Sequence, residues 1–133
     1  MRFFMRFFLL LFATYEFVEA APAPKIYVKP NNAVVITDIT VVQHGSSVLI
    51  SGYVHRSNPW SGTGWGYIEI SLFDHSAGLI SRIEANYFPR PIQHSFQSAY
   101  QPRSRFSVTT NAVTGRPIRA VEIAYRDRGD FRN

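Results

Sequence analysis

The residues best suited to bind a metal or move a proton near neutral pH are four histidines, His44, His55, His75 and His94. No two of them form an H-x-H or H-x3-H pair, and three fall at or near predicted turns or loops. Nothing in their spacing asks them to converge on a zinc-type site, so they are expected in solvent and no metal is expected. Both methionines, Met1 and Met5, lie in the first twenty residues, which excludes a methionine-rich copper site further along. The serines are many, but none stands in a G-x-S-x-G turn. Asp38, Glu69, Asp74, Glu84 and Glu122 are spread over several predicted strands and read as solvated side chains. The glycine-rich "SGTGWG" lacks both the lysine and the following helix of a phosphate loop. No catalytic residues and no cofactor are therefore expected. A small hydrolase or metal-binding protein would need histidines or carboxylates brought together in a cleft.

The most distinctive stretch is residues 58–66, "NPWSGTGWG". It is longer than a tight hairpin needs, and loops of this kind carry function more often than the scaffold below them. Trp60 and Trp65 offer flat apolar faces, and tryptophan is enriched at binding hot spots. With Arg56, Ser57 and Asn58 beside them, exposed indoles would suit a sugar ring or an anionic glycan. The competing reading has one or both indoles folding back to cap the end of the fold. A second candidate surface is basic: "ANYFPRPIQHSFQSAYQPRSRF" sets Arg90, Arg103 and Arg105 among Tyr87, Phe88, Phe96, Tyr100 and Phe106. Basic grooves with stacking aromatics bind single-stranded nucleic acid, but an exported chain argues against that partner. A third possibility is strand acceptance at a sheet edge, for which residues 100–110 are the candidate, since Pro102 and Arg105 are edge-strand features.

These residues must be positioned by β-strands, because the hydrophobic period after residue 33 is two rather than 3.6. Strands are predicted over 34–42, 47–56, 66–74, 79–88, 103–110 and 118–126. Val48, Ile50 and Val54 share one face of the second. Ile68, Ile70 and Leu72 share one face of the third. Phe106 and Val108 pair in the fifth, and Val121, Ile123 and Tyr125 in the last. Turn residues separate them: His44-Gly45-Ser46, then "DHSAG" at 74–78, and Thr114-Gly115-Arg116-Pro117. Pro89 and Pro91 end the fourth strand, since proline donates nothing to a ladder. The expected fold is all-β, an antiparallel β-sandwich of six to seven strands. The domain is expected over 33–126, and the charged tail 127–133 is expected to fray.

The N-terminus reads as an export signal over residues 1–20. Arg2 and Arg6 precede the uncharged run "FFLLLFATY", and Val18-Glu19-Ala20 offers a cleavage site. Glu16 and Glu19 interrupt the run well short of the about 20 apolar residues that span a bilayer. An uncleaved anchor is the alternative; after cleavage no membrane span is expected. Residues 21–32, "APAPKIYVKPNN", read as an extended leader. The chain has 133 residues, no cysteine and a net charge of +5. Losing the signal removes two arginines and two glutamates, so the charge stays. The absence of cysteine rules out disulfides and thiolate metal sites, and fits a periplasmic or secreted protein. Excess arginine favours anionic partners.

The segments "VVITDITVVQHGSSVLISGYVHR", "GYIEISLFDHSAGLI" and "RFSVTT" resemble the small exported immunoglobulin-like and transthyretin-like β-sandwich domains of bacteria. The shared frame falls on Gly52, Val54, Arg56, Asp74, Gly78, Phe106 and Val108 and covers about 75 residues; the longer stretch 86–102 departs from the shortest members. The resemblance implies an immunoglobulin-like sandwich and brings no catalytic residues. The resulting expectation is a non-enzymatic periplasmic or secreted binding or structural module that recognises a cell-envelope protein or an anionic glycan. A strand-accepting assembly protein is the alternative.

Overall fold

The computed structural model describes residues 23–58, 60, 62, 64–95, 101–111 and 116–128. The expected signal, the aromatics Phe96 and Tyr100, the turn residues 114–115 and the end of the tail lie outside them. All regular structure among the described residues is β, and no helix there is long and apolar enough to cross a membrane. The strands are β1 (Lys25–Val28), β2 (Val34–His44), β3 (Ser47–Arg56), β4 (Gly66–Phe73), β5 (Leu79–Ala85), β6 (Tyr87–Phe88), β7 (Ser104–Asn111) and β8 (Ala120–Asp127).

Two four-stranded sheets result, with orders β1-β8-β4-β5 (the back sheet) and β2-β3-β7-β6 (the front sheet). Every pairing is antiparallel except β1 with β8, which is parallel. The sheets share one core. Val48, Ile50, Val54 and Phe106 from the front sheet meet Ile68, Ile70, Leu72, Val121 and Ile123 from the back sheet. These are the side chains that the period-two pattern groups on common faces. Fully burying each medium apolar side chain contributes about 1.5–3 kcal/mol, so a one-residue slip that turned a face outward is strongly disfavoured. Gly52 shows how tightly the register is set. It lies opposite Phe106 in the β3–β7 ladder, and a Cβ there would fall 2.6 Å from the Phe106 ring. The ring occupies the space that any side chain at 52 would need.

With eight strands, the count exceeds the six to seven expected, and two of them fall outside the six predicted ranges as drawn. Residues 25–28, anticipated as part of an extended leader, are extended and also pair with residues 120–123 of β8. All four are exposed, because β1 lies at the edge of its sheet. The stretch 79–88, expected as one strand, divides at Asn86. Ala85 pairs with Ile68 in the back sheet, whereas Tyr87 pairs with Phe106 in the front sheet. One unpaired residue lets the chain step between sheets while Ala85 and Tyr87 both stay buried. In β2 the register shifts between Thr37 and Thr40, and Asp38 there has φ +52°. This β-bulge uses a residue type that tolerates the left-handed region.

Candidate ligand-binding site

The loop between β3 and β4 is built on a buried arginine. Arg56 closes β3 in the inward phase of that strand and is only 8% exposed. Its Nε donates to the Ile92 carbonyl (3.0 Å) and its Nη1 to the Gly62 carbonyl (3.2 Å). A buried cation is tolerated only when its donors are satisfied, and these bonds are charge-assisted. Gly64 has φ +72°, and a Cβ on it would fall 2.5 Å from Arg56 Nη2 and 2.9 Å from the Ile92 oxygen. The backbone thus presses directly on the guanidinium. The Gly64 carbonyl accepts from Ile92 N (3.0 Å) and from the Tyr87 hydroxyl (2.5 Å). Ser57 N donates to the Ala33 carbonyl, Trp60 N to the Asn58 side chain, and Arg128 N to the Trp65 carbonyl. The loop is therefore fastened to the starts of β2 and β4, to the end of β8 and to the segment after β6. All of these lie at one pole of the two-sheet stack.

Above that floor the indoles stand out. Trp60 is 81% exposed and Trp65 50%. The Arg90 guanidinium lies 5.7 Å from the Trp65 ring centroid and 6.0 Å from that of Tyr87, within cation–π range. Below, the Tyr87 and Tyr125 rings pack with centroids 6.4 Å apart. The Tyr125 hydroxyl is buried. Burial pushes both phenols above their ordinary ionisation range.

The residues named from sequence therefore separate into roles. Trp60, Trp65 and Arg90 present their side chains at the pole. Asn58 shapes the turn by accepting from the Trp60 amide. Arg56, expected to face a ligand, instead points inward and holds the loop. Its inward phase follows from strand alternation: it is in step with Val48, Ile50, Gly52 and Val54. Arg103 and Arg105 lie elsewhere, on the outer face of the front sheet. Arg103 stacks 4.1 Å from the Tyr53 centroid and pairs with Asp38 of the bulge (2.5 Å). Arg105 sits between Tyr53 and Phe88 in the cross-strand register. Phe88, 80% exposed, was not singled out as a site residue. Its signal was available in the sequence, because it alternates with the buried Tyr87 at the strand end just before two prolines.

The stretch considered for strand acceptance contributes β7, which pairs with β3 along its whole length and with the two-residue β6 at Arg105 and Phe106 alone; residues 107–111 have no ladder partner on that second side among the described residues.

Asp74 closes the β4–β5 turn at the opposite pole. Its Oδ1 accepts from Ser76 N, Ser76 Oγ and Gly78 N, and its Oδ2 accepts from Arg116 Nη2 and Nε at 2.8 and 3.1 Å. The Ser76 hydroxyl and the Arg116 guanidinium hold its pKa well below the usual carboxylate range. Among the described residues no three histidines or carboxylates cluster as metal ligands. A pocket of about 260 Å³ opens between β1 and β2, lined by Val28, Lys29, Val34 and Ile36 among others. The side-chain oxygen of Asn31 there is already used by the Ala33 and Val34 amides.

No protein-family model matches the chain, and no curated protein or solved structure matches it.

Proposed function

We propose that this protein is a non-enzymatic, exported binding module whose β3–β4 loop docks a cell-envelope component, either a protein or an anionic glycan. The carrying observation is the pair of exposed indoles, Trp60 and Trp65, on a loop clamped from below by the buried Arg56. Large apolar rings at the surface favour leaving water. A loop fixed by hydrogen bonds loses little entropy on binding, so more of that gain appears as affinity. Arg90 beside Trp65 supplies a positive charge for an anionic group. The export signal over 1–20 belongs to this reading, as does the immunoglobulin-like frame. The parallel pairing of the first strand with the last, and the repeated crossing of the chain between sheets, support that frame.

The test is tryptophan fluorescence with acrylamide quenching while envelope fractions are titrated in: peptidoglycan, lipopolysaccharide and periplasmic extract. Indoles that are quenchable alone and become protected by one fraction support the reading and identify the partner class. Indoles that no fraction protects contradict it.

A further inference from the structure

The indole pole does not end at Trp65. Arg90 stacks on Trp65, and Phe88 lies two residues before it. The Ser104 hydroxyl donates to the Pro89 carbonyl (2.6 Å), which ties this segment to the start of β7. From Phe88 a row crosses the front sheet in register: Phe88 opposite Arg105, and Arg105 opposite Tyr53, with the Arg103 guanidinium lying over the Tyr53 ring. Aromatic and arginine residues alternate in position along this path, from the loop to the middle of the outer face.

The charges on this path are unevenly compensated. Arg103 has Asp38. Arg90 and Arg105 have no carboxylate partner among the described residues, although Glu69, Asp74, Glu84 and Glu122 each neutralise a cation elsewhere.

We infer that this strip is an extended binding track for a linear acidic polysaccharide, one carrying a carboxylate or sulfate on some of its rings. The inference rests on the proposal that the indole loop binds a ligand, and extends that site along Phe88 and Arg105. Charge density decides between polymers. Two strand spacings set the Phe88–Tyr53 row at about 10 Å, and only one uncompensated guanidinium, Arg105, lies within it. A nucleic-acid strand carries about one charge per 3.4 Å in a duplex, which calls for several cations over the same length. Sparse charge between neutral ring platforms fits a polymer whose rings stack and whose acids are spaced. An acidic peptide would be expected along a sheet edge, where backbone groups are open, rather than across the face of three paired strands.

The experiment measures binding of the full chain to hyaluronan fragments, in which every second ring carries a carboxylate: a disaccharide and an octasaccharide, beside a neutral glucan of the longer length and a single-stranded oligonucleotide of matched charge. The octasaccharide is expected to bind at least about tenfold more tightly than the disaccharide and than the neutral glucan. Phe88→Ser and Arg105→Gln, both at exposed positions, are each expected to remove about tenfold of the octasaccharide affinity, a typical effect for a residue at the centre of a binding surface. Both should leave disaccharide binding nearly unchanged.

Equal affinity for the two lengths overturns the track while leaving the loop reading intact, and so does octasaccharide binding indifferent to both substitutions. Tighter binding of the oligonucleotide overturns the glycan assignment. Absence of any carbohydrate binding overturns the track. In that case protection of the indoles by a protein-containing fraction still leaves the loop reading standing.

Discussion

The two outer faces of the molecule are made from the same alternation of strand residues, yet they differ in where the carboxylates fall. On the back face, Lys29 pairs with Glu122 (3.2 Å), Arg126 and Arg82 flank Glu69 (3.3 and 3.8 Å), and Arg128 meets Glu84 (2.9 Å). Arg128 also lies over Tyr67. That face neutralises its own charge across neighbouring strands. On the front face Asp38 is the single carboxylate in an ion pair among the described residues, and it serves Arg103. Arg105 is left between two aromatic rings, and Val35, Val42 and Leu49 are exposed nearby. A positive total charge therefore says little about where an anion would bind; cross-strand partners decide which cations remain available.

Several changes would break or sharpen this contrast. The largest effect is expected from Arg56→Met. It strands the Ile92 and Gly62 carbonyls in a buried site and removes charge-assisted bonds, a loss of about 3 kcal/mol. The midpoint of urea unfolding measures it, and the indoles should report the loosened pole by a changed emission. Next comes Gly52→Ala, which acts on the core common to both faces. Crowding the fully buried Phe106 ring is expected to cost about 1–3 kcal/mol of stability, read from the same unfolding curves. Because neither face is altered, ligand preference should survive.

The contrast itself is tested by a matched pair of neutralisations. Arg105→Gln is expected to weaken an acidic polysaccharide about tenfold. Glu69→Gln raises the net positive charge but lies on the back face, and should leave that affinity unchanged in the same titration. An equal gain from Glu69→Gln would mean that overall charge, rather than the front face, attracts the ligand. Asp74 gives a check by acid titration. Its folded ionisation lies below its ordinary value of 3.8, so its stabilising contribution is fully present above that pH and is lost as pH falls below it. Asp74→Asn should flatten this acid limb in unfolding midpoints measured against pH. The smallest effect is the stability change of Glu69→Gln. The cross-strand pairs it breaks, to the exposed Arg82 and Arg126, are worth about 1 kcal/mol, a loss that added salt should shrink.

Much of the scaffold was legible because burial on one side imposes alternation. Val48, Ile50 and Val54, or Ile68, Ile70 and Leu72, announce their shared faces directly. The β4–β5 turn was equally plain, since Asp74 and Gly78 are the residue types such a turn requires. What escaped lay where alternation carries little information. β1 is an exposed four-residue edge inside a proline-rich stretch, and β6 has two residues. The step at Asn86 keeps the residues on both sides buried, so the sequence pattern runs through it unbroken. At the site, the two indoles were visible by type. The inward direction of Arg56 was implied by the phase of β3, yet its charge suggested a surface role. The stacking of Arg90 on Trp65 joins residues far apart in sequence and needs the fold to be seen.

The most direct measurement is a two-dimensional nitrogen–proton NMR titration of the full chain with an acidic octasaccharide, following the two indole N–H signals beside assigned backbone amides of β4 and β7. The account predicts saturable shifts of both indole signals and of amides around Arg105, with the back-face amides around Glu69 unmoved. Indole signals that stay fixed while back-face amides shift would contradict it.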